Sequence, residues 1–373
     1  MYGHEHDGAR NPGRRALAGA MGAAAAGLLL APREAAASPA AAGSTAAAIA
    51  GLPVLTAGED WQQVLSATPR VQLEPGATYT LPAALELPDG CLIVGNGATV
   101  TVSGASVPAL RVTRRRDVTL TGIRFLGQET DPLGTAMARD HVAVTLTRSS
   151  DVRVTDCSFA RWRGAGVVVT GSASDDYMGA RTVVSGNTFD RCCFGVSTTD
   201  RSEYSLLSGN VFTYCRLAVW NSSGNWNIQG NTVVGCYGAY YSFAATSPYG
   251  SLSSDNWNHG AVTGNTFNHS NGGTPTRWTS NAAFPLGGTT RDPGPGVVVS
   301  GVLPPTFSGN TLWYTDVTAT GLRGSRWVLT GCTLSDLTVA CSGSVPIHLL
   351  GHQGNRPPTL TGNVVDPLAN AAG

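Results

Sequence analysis

Residues 182–189 read TVVSGNTF, residues 205–212 read SLLSGNVF and residues 226–233 read WNIQGNTV. Each segment alternates apolar and polar positions, passes through a glycine and a polar residue, and then returns to an apolar position. Period-two alternation on both sides of a Gly-Asn pair predicts a strand, a turn and a second strand. The glycines Gly186, Gly209 and Gly230 are 23 and 21 residues apart, so one short unit recurs.

The same unit continues in both directions along the chain. Its further copies are VTLTGIRF (118–125), VRVTDCSF (152–159), GAVTGNTF (260–267), PTFSGNTL (305–312), WVLTGCTL (327–334) and PTLTGNVV (358–365). Spacings of up to 45 residues between anchors correspond to the short unit with inserted loops. A single unit cannot bury its own apolar face, so the units must stack on one another.

Two columns of equivalent residues follow from this stacking. The residue after the anchor is often Asn, and stacked Asn side chains can hydrogen-bond along the column. The residue three positions after the anchor is predicted to point into the interior. This interior column comprises Phe125, Phe159, Phe189, Phe212, Val233, Phe267, Leu312, Leu334 and Val365.

These repeats resemble the right-handed parallel β-helix proteins of the pectate-lyase-like superfamily, over roughly residues 70–365. The entry region is similar as well, because GEDWQQVLSA (58–67) predicts a short capping helix before the first strands. The resemblance implies an all-β, single-stranded right-handed parallel β-helix that binds its ligand along a lateral face. The superfamily includes lyases, hydrolases, epimerases, phage spikes and binding proteins, so the fold alone specifies no activity.

The composition excludes several partners. The chain has 373 residues, of which 13 % are charged, and its 24 cationic residues are all Arg against 24 acids. No net basic field would attract nucleic acid or an anionic membrane surface. Hydrophobic residues make up 42 % of the chain, which is enough for a folded core.

The N-terminus predicts an export signal. Arg14-Arg15 precedes an apolar run at 16–31 and the small residues 35–37, and the pair resembles a twin-arginine motif. We therefore expect a signal peptide at 1–37, an Ala-rich linker at 38–55 and the β-helix domain at 56–373. No second run approaches membrane length, so a secreted product without a membrane span is predicted.

The eight cysteines do not predict a disulfide framework. Cys192, Cys215 and Cys236 lie at equivalent positions in consecutive repeats, three residues past the interior column. Stacked there, they are expected to act as small buried hydrophobes.

The strand after this cysteine column is predicted to carry the ligand-binding face. It reads FGVSTT (194–199), LAVWNS (217–222) and GAYYSF (238–243). Alternation turns Trp220 and Tyr241 outward on neighbouring rungs, about 4.8 Å apart along the axis. Aromatic rings in line can stack against sugar rings if they are exposed, although either could instead pack beneath a loop.

Loops that leave this face hold most of the ionisable side chains. The predicted catalytic residues are His259, Asp255, Asp200, Glu203, Arg201 and His141. The predicted substrate-binding residues are Trp220, Tyr241, Tyr204, Trp257 and His269.

Three kinds of function remain open: a polysaccharide lyase or hydrolase, a non-catalytic binding protein, and an enzyme acting on a small molecule. Glycoside hydrolysis needs two carboxyl groups, which Asp200 or Glu203 could form with Asp255. Elimination from a uronate needs a base such as His141 or His259, with Arg201 or a carboxylate-bound Ca²⁺ to stabilise the anion. A polysaccharide lyase or hydrolase is the preferred prediction. The alternatives are a non-catalytic glycan-binding or adhesion solenoid and a small-molecule isomerase or cyclase. Apart from Ca²⁺, no cofactor is predicted, and the expected partner is a polysaccharide or another extended ligand.

Overall fold

A computed structural model describes residues 51–104, 106–130, 137–172, 179–243, 248–250, 260–270 and 294–368. All of these residues belong to one compact unit, which spans Thr45–Gly373. The predicted signal peptide and most of the linker lie outside the described residues.

A short helix closes the N-terminal end of the described chain. Helix α1 (Trp61–Ala67) begins after Asp60, whose carboxylate accepts hydrogen bonds from the backbone N–H groups of Gln62 and Gln63. This is an ordinary N-cap, which satisfies donors that the first helical turn leaves unpaired. Trp61 is buried and packs edge-on against Tyr79. The predicted capping helix is therefore confirmed, three residues shorter at its start.

The remaining elements form three parallel sheets. The first sheet consists of β1 (Val54–Leu55), β2 (Arg70–Leu73), β5 (Leu92–Val94), β8 (Thr119–Thr121), β11 (Arg153–Thr155), β14 (Val183–Ser185), β17 (Ser205–Ser208), β20 (Trp226–Gln229), β23 (Ala261–Thr263), β26 (Thr306–Ser308), β29 (Trp327–Thr330), β32 (Ile347–Leu350) and β34 (Val364–Val365). The second sheet consists of β3 (Thr78–Leu81), β6 (Thr99–Val102), β9 (Arg124–Leu126), β12 (Ser158–Ala160), β15 (Thr188–Asp190), β18 (Val211–Thr213), β21 (Thr232–Val234), β24 (Thr266–Asn268), β27 (Thr311–Trp313) and β30 (Thr333–Ser335). The third sheet consists of β4 (Leu85–Glu86), β7 (Leu110–Thr113), β10 (Val142–Thr147), β13 (Ala165–Thr170), β16 (Phe194–Thr199), β19 (Leu217–Asn221), β22 (Gly238–Phe243), β25 (Gly296–Ser300), β28 (Val317–Thr320), β31 (Thr338–Ser342) and β33 (Thr359–Gly362).

A complete rung, such as that of β17, β18 and β19, contributes one strand to each sheet. The two strands predicted in a repeat fall in the first and second sheets, for example β17 and β18 on either side of Gly209-Asn210. The last repeat is an exception, because its strands β33 and β34 belong to the third and first sheets. The third strand of the repeat is the predicted FGVSTT, LAVWNS and GAYYSF series. The protein is thus a right-handed parallel β-helix, the fold that the resemblance of the repeats implied.

The repeat anchors are turn residues with a left-handed backbone. All nine have positive φ, between 54° at Asp156 and 74° at Gly362. Glycine adopts this conformation without the strain that a Cβ introduces, and Asp is among the residues that tolerate it best. The anchor is therefore set by backbone conformation, which explains its near-invariance along the chain.

The Asn side chains after the anchors form a continuous buried ladder. It runs through Asn187, Asn210, Asn231, Asn265 and Asn310. From Asn210 onward, each Oδ1 accepts from the backbone N–H and the Nδ2 of the preceding member at 2.9–3.0 Å. Asn187 Oδ1 accepts from the backbone N–H of Cys157. The predicted ladder is confirmed over these five rungs, whereas Asn363 instead donates to the carbonyls of Gly343 and Ser344.

The interior column stacks as predicted over most of its length. Phe125, Phe159, Phe189 and Phe212 lie face to face, with successive ring centroids 4.7–5.0 Å apart. Val365 does not join the column, because it lies on the short terminal strand β34 and is 38 % exposed.

All eight cysteines are free and buried. Burial raises the pKa of the Cys192 and Cys215 thiols well above the ordinary value. Neutral thiols in an apolar column fit the predicted packing role, since the thiolate is the reactive species.

Candidate functional site

The outer face of the third sheet carries the aromatic side chains that the sequence turned outward. Ser197, Trp220 and Tyr241 are in register on consecutive strands, as predicted. Trp220 and Tyr241 belong to a second apolar cluster outside the barrel core. Trp220 is fully buried and Tyr241 is 1 % exposed, so of the two alternatives that the sequence left open, packing beneath other residues is the one observed.

Aromatic residues packed over this face help to bury Trp220 and Tyr241. Phe194 contacts the edge of Trp220, and Tyr249 from the following insertion packs edge-on against Phe194. Trp220 contacts Tyr241 in the same way, and its indole N–H donates to Ser222 Oγ at 2.6 Å. With the indole N–H of Trp220 paired, the two rings form an apolar layer between the third sheet and the residues packed over it.

The turn after β16 brings together three of the predicted catalytic residues, Asp200, Arg201 and Glu203. Glu203 accepts a hydrogen bond from Asn225 Nδ2 at 3.0 Å. Asp200 has a left-handed backbone, and its carboxylate lies against Gly250. Tyr204, predicted to bind substrate, is 52 % exposed on the same turn.

His141 does not fit the predicted role of general base. Its ring is 1 % exposed and packs against Trp162, with centroids 4.7 Å apart. Nε2 lies 3.0 Å from the Gly127 carbonyl oxygen, and Nδ1 accepts from the Arg163 backbone N–H. Burial lowers the pKa of His141 to about 4. With both nitrogens bound to backbone, the neutral imidazole serves as a structural link between rungs.

The other predicted residues of this face are Asp255, Trp257 and His259. They lie outside the described residues.

A different surface collects exposed aromatic side chains. The residue five positions after each anchor begins the turn from the second to the third sheet. We call the consecutive positions Arg161, Arg191, Tyr214, Gly235, His269, Tyr314 and Asp336 the turn row. All seven have φ between 47° and 64°, and each N–H before Asp336 donates to a carbonyl of the next rung at 2.9–3.2 Å.

The side chains of the turn row contact one another along the axis. The Arg191 guanidinium lies 5.4 Å from the centre of the Tyr214 ring. His269 packs on Tyr314 at 5.1 Å, and Tyr314 stacks on the neighbouring Trp313 at 5.9 Å. Tyr214 is 37 % and Trp313 is 44 % exposed. His269, predicted from sequence as a binding residue, therefore belongs to this row.

The row leads into a cleft of about 480 Å³, which we call the acidic cleft. It is lined by Tyr314, Asp316, Asp336, Leu337, Thr338, Arg356, Pro357 and Thr359. Its two carboxyl groups lie on adjacent rungs.

The two carboxyl groups have different surroundings. Burial raises the pKa of Asp316 above its ordinary value, and a hydrogen bond from the Thr338 N–H at 2.7 Å partly offsets this. Asp336 is paired with the Arg356 guanidinium at 2.8 Å. One carboxyl thus favours the protonated form more than usual, while the other has a cationic partner. Carboxyl pairs in unequal environments are characteristic of acid–base sites.

Neither a metal centre nor a membrane span is evident in the described part of the chain. These residues contain no group of three or more His, Cys, Asp and Glu side chains that could hold a metal ion. No described helix is long and apolar enough to cross a membrane.

Sequence reasoning missed the acidic cleft, although a signal was present. The column five positions after the anchor reads Tyr214, Gly235, His269, Tyr314 and Asp336, which is rich in aromatic residues for a left-handed turn. Bulky residues are uncommon at positive φ, so this column could have been singled out.

The geometry defines the chain as a β-helix with a covered lateral face and an acidic cleft beside its C-terminal rungs. Residues 52–244, which are more than half of the chain, match the family model described as adenovirus EB1 55K protein / large t-antigen. The chain belongs to this family. No curated protein matches the sequence significantly. The relationship to the pectate-lyase-like superfamily stays an inference from the repeats.

Solved β-helix structures resemble the chain in fold. An alginate lyase from a Paenibacillus species is 12 % identical with a TM-score of 0.41, and the match covers 81 % of this chain and 95 % of that one. A GH87 α-1,3-glucanase catalytic unit from Streptomyces thermodiastaticus is 12 % identical with a TM-score of 0.49, covering 87 % and 69 %. A tailspike of the E. coli bacteriophage HK620 in complex with a pentasaccharide is 13 % identical with a TM-score of 0.49, covering 84 % and 62 %. At these identities and scores the likeness concerns the fold alone.

Proposed function

We propose that the protein is an extracellular polysaccharide-acting β-helix protein that hydrolyses glycosidic bonds in the acidic cleft. The observation that carries this proposal is a pair of carboxyl groups in one cleft: Asp316, whose pKa is raised by burial, and Asp336, which is paired with Arg356. Glycoside hydrolysis requires such a pair, with one protonated and one ionised carboxyl.

The roles follow from these surroundings. Asp316 is the general acid, because burial favours its protonated form, and it would protonate the leaving-group oxygen. Asp336, held beside Arg356, is the carboxylate that activates water or attacks the sugar directly. Tyr314 forms an aromatic wall on which a sugar ring can stack.

Purified protein without residues 1–37 should be tested on neutral and acidic polysaccharides, with and without Ca²⁺. We expect new reducing ends without the absorbance of an unsaturated product. Asp316→Asn and Asp336→Asn should each lower the rate by at least about a hundredfold.

Asp151 provides a matched control for Asp336, because it also has a left-handed backbone and is bound to an arginine, Arg181. Asp151→Asn should leave the rate unchanged. Equal rates in Asp316→Asn and the unmutated protein would refute the assignment, and an unsaturated product would instead indicate a lyase.

The lateral face remains a second candidate. Asp200, Arg201 and Glu203 follow one another closely in the turn after β16, and the sequence predicts that Asp255 and His259 join them. Loss of activity in Asp200→Asn and Glu203→Gln, with Asp316→Asn fully active, would place the reaction there. Binding without turnover would favour the non-catalytic glycan-binding solenoid.

A further inference from the structure

We propose that the turn row, together with Trp313, is a binding track that holds a neutral, extended polysaccharide parallel to the solenoid axis and directs it into the acidic cleft. This inference rests on the proposed function for the direction of the chain. The binding itself can be measured without turnover.

The first argument is conformational. Tyr214, His269 and Tyr314 have φ of 52°, 57° and 47°. A left-handed backbone costs a side chain roughly 1–2 kcal/mol relative to the right-handed region. Gly235 occupies the same column between them, which shows that the turn accepts glycine. The aromatic residues therefore oppose the local backbone preference, which is typical of functional positions.

The second argument is spacing. Tyr214 and Tyr314 are three rungs apart, about 14 Å along the axis. The Tyr214 ring lies across Gly235, because a Cβ there would come within 2.9 Å of it. The missing side chain gives the ring room to lie along the row toward His269. A ligand touching both ends must be an extended chain.

The third argument is rigidity. The backbone N–H groups of Tyr214, His269 and Tyr314 are each fixed to the next rung. Stacking of Trp313 on Tyr314, and the tilted packing of His269 against Tyr314, restrain the rings further. Little conformational entropy is then lost when a sugar ring packs against them.

Charge selects the class of ligand. Beside the aromatic part of the row, Arg191 is bound to Asp190, and Arg356 in the acidic cleft is bound to Asp336. These two cations thus each have a carboxylate beside them, and Asp316 adds another acid. Arg161, at the N-terminal end of the row, instead donates to the Glu129 carbonyl. A polyanion would meet these carboxylates, whereas a neutral glycan needs only the rings and polar edges.

Binding should be measured by affinity electrophoresis in gels that contain a neutral polysaccharide (laminarin, glycogen or xylan) or an acidic one (alginate or polygalacturonate). The Asp316→Asn variant of the mature protein serves as background, so that hydrolysis does not interfere. We expect retardation by a neutral polysaccharide, with Trp313→Ala and Tyr214→Ala each weakening binding roughly 3–10-fold. Leu350, an apolar side chain on the first sheet with 41 % exposure, gives the control Leu350→Ala, which should bind unchanged.

Thermal unfolding of each variant identifies any that fail to fold, and Trp313→Phe and Tyr214→Phe then replace them, with most of the binding retained. Unchanged binding in folded Trp313→Ala and Tyr214→Ala overturns the track, as does retardation by the acidic polysaccharides alone or by none. Weakened binding in Tyr204→Ala but not in Tyr214→Ala places the ligand on the lateral face, which also overturns it.

The two proposals fail separately. Row-dependent binding without any new reducing ends in the unmutated protein refutes hydrolysis and supports the track. Hydrolysis that depends on Asp316, with binding insensitive to the row, refutes the track and supports hydrolysis.

Discussion

Replacing Asn210 by Ala tests the amide ladder at its centre. Asn210 Oδ1 accepts from the backbone N–H and from Nδ2 of Asn187, while its Nδ2 donates to the Val184 carbonyl and to Asn231 Oδ1. The variant loses these four hydrogen bonds inside a region with no solvent access.

The magnitude follows from the groups left without partners. The Asn187 backbone N–H loses its acceptor and the Val184 carbonyl loses a side-chain donor. By contrast, Asn187 Nδ2 retains Val154, and Asn231 Oδ1 retains the backbone N–H of residue 210. The Val184 carbonyl keeps its place in the β14–β17 ladder, so only the Asn187 backbone N–H is left unpaired. A buried polar group without a partner costs about 1–3 kcal/mol, so Asn210→Ala should lower the free energy of unfolding by at least about 1–3 kcal/mol.

The assay is urea unfolding followed by far-UV circular dichroism, with Asn227→Ala as the matched control. Asn227 is exposed on β20 of the neighbouring rung, and its loss should change stability by less than about 0.5 kcal/mol. Indistinguishable stabilities of Asn210→Ala and Asn227→Ala would refute the ladder as a stabilising feature.

Two further predictions concern pH. Burial raises the pKa of Asp316 above its ordinary value of 3.8, so the favourable contribution of its protonated form is present at lower pH and is lost as pH rises above that value. Unmutated protein should therefore lose stability relative to Asp316→Asn as pH rises from 3.8 in urea titrations. A difference that is constant or reversed would contradict the burial of this carboxyl. The pKa of His141 is lowered from 6.5 to about 4, so the stability that its neutral ring contributes is present above pH 6.5 and is lost as pH falls toward 4. The stability of the unmutated protein relative to His141→Gln should therefore fall by about 3 kcal/mol over that interval in urea titrations. Parallel curves for the two proteins would show that the imidazole is not held neutral.

The fold could be predicted because its determinants are local and repeated. The left-handed turn at Gly209 favours glycine, the side chain of Asn210 finds its hydrogen-bond partners only when rungs stack, and Phe212 alternates into the interior. These constraints act within eight residues and recur rung after rung, so the sequence reveals them without long-range information.

The candidate site could be predicted only in part. Alternation correctly turned Trp220 outward from the barrel, but its exposure depends on how an inserted segment packs, which Tyr249 shows and no local pattern reveals. His141 was singled out for its chemistry, and only the structure shows that both of its nitrogens bind backbone. Asp316 and Asp336 are ordinary loop acids in sequence, since their relation depends on two rungs stacking in register.

The amide ladder also has mechanical consequences, because it has an end. Between Asn187 and Asn310 each rung is tied to the next by side chains as well as by strands. At the next rung the equivalent residue is Cys332, whose single sulfur cannot replace an amide. A pull on the C-terminus would therefore peel away the last rungs before the five laddered ones. Asp316 lies on the last laddered rung and Asp336 on the first one beyond it. The two carboxyls thus lie on either side of the end of the amide ladder, on rungs that no amide side chain ties together.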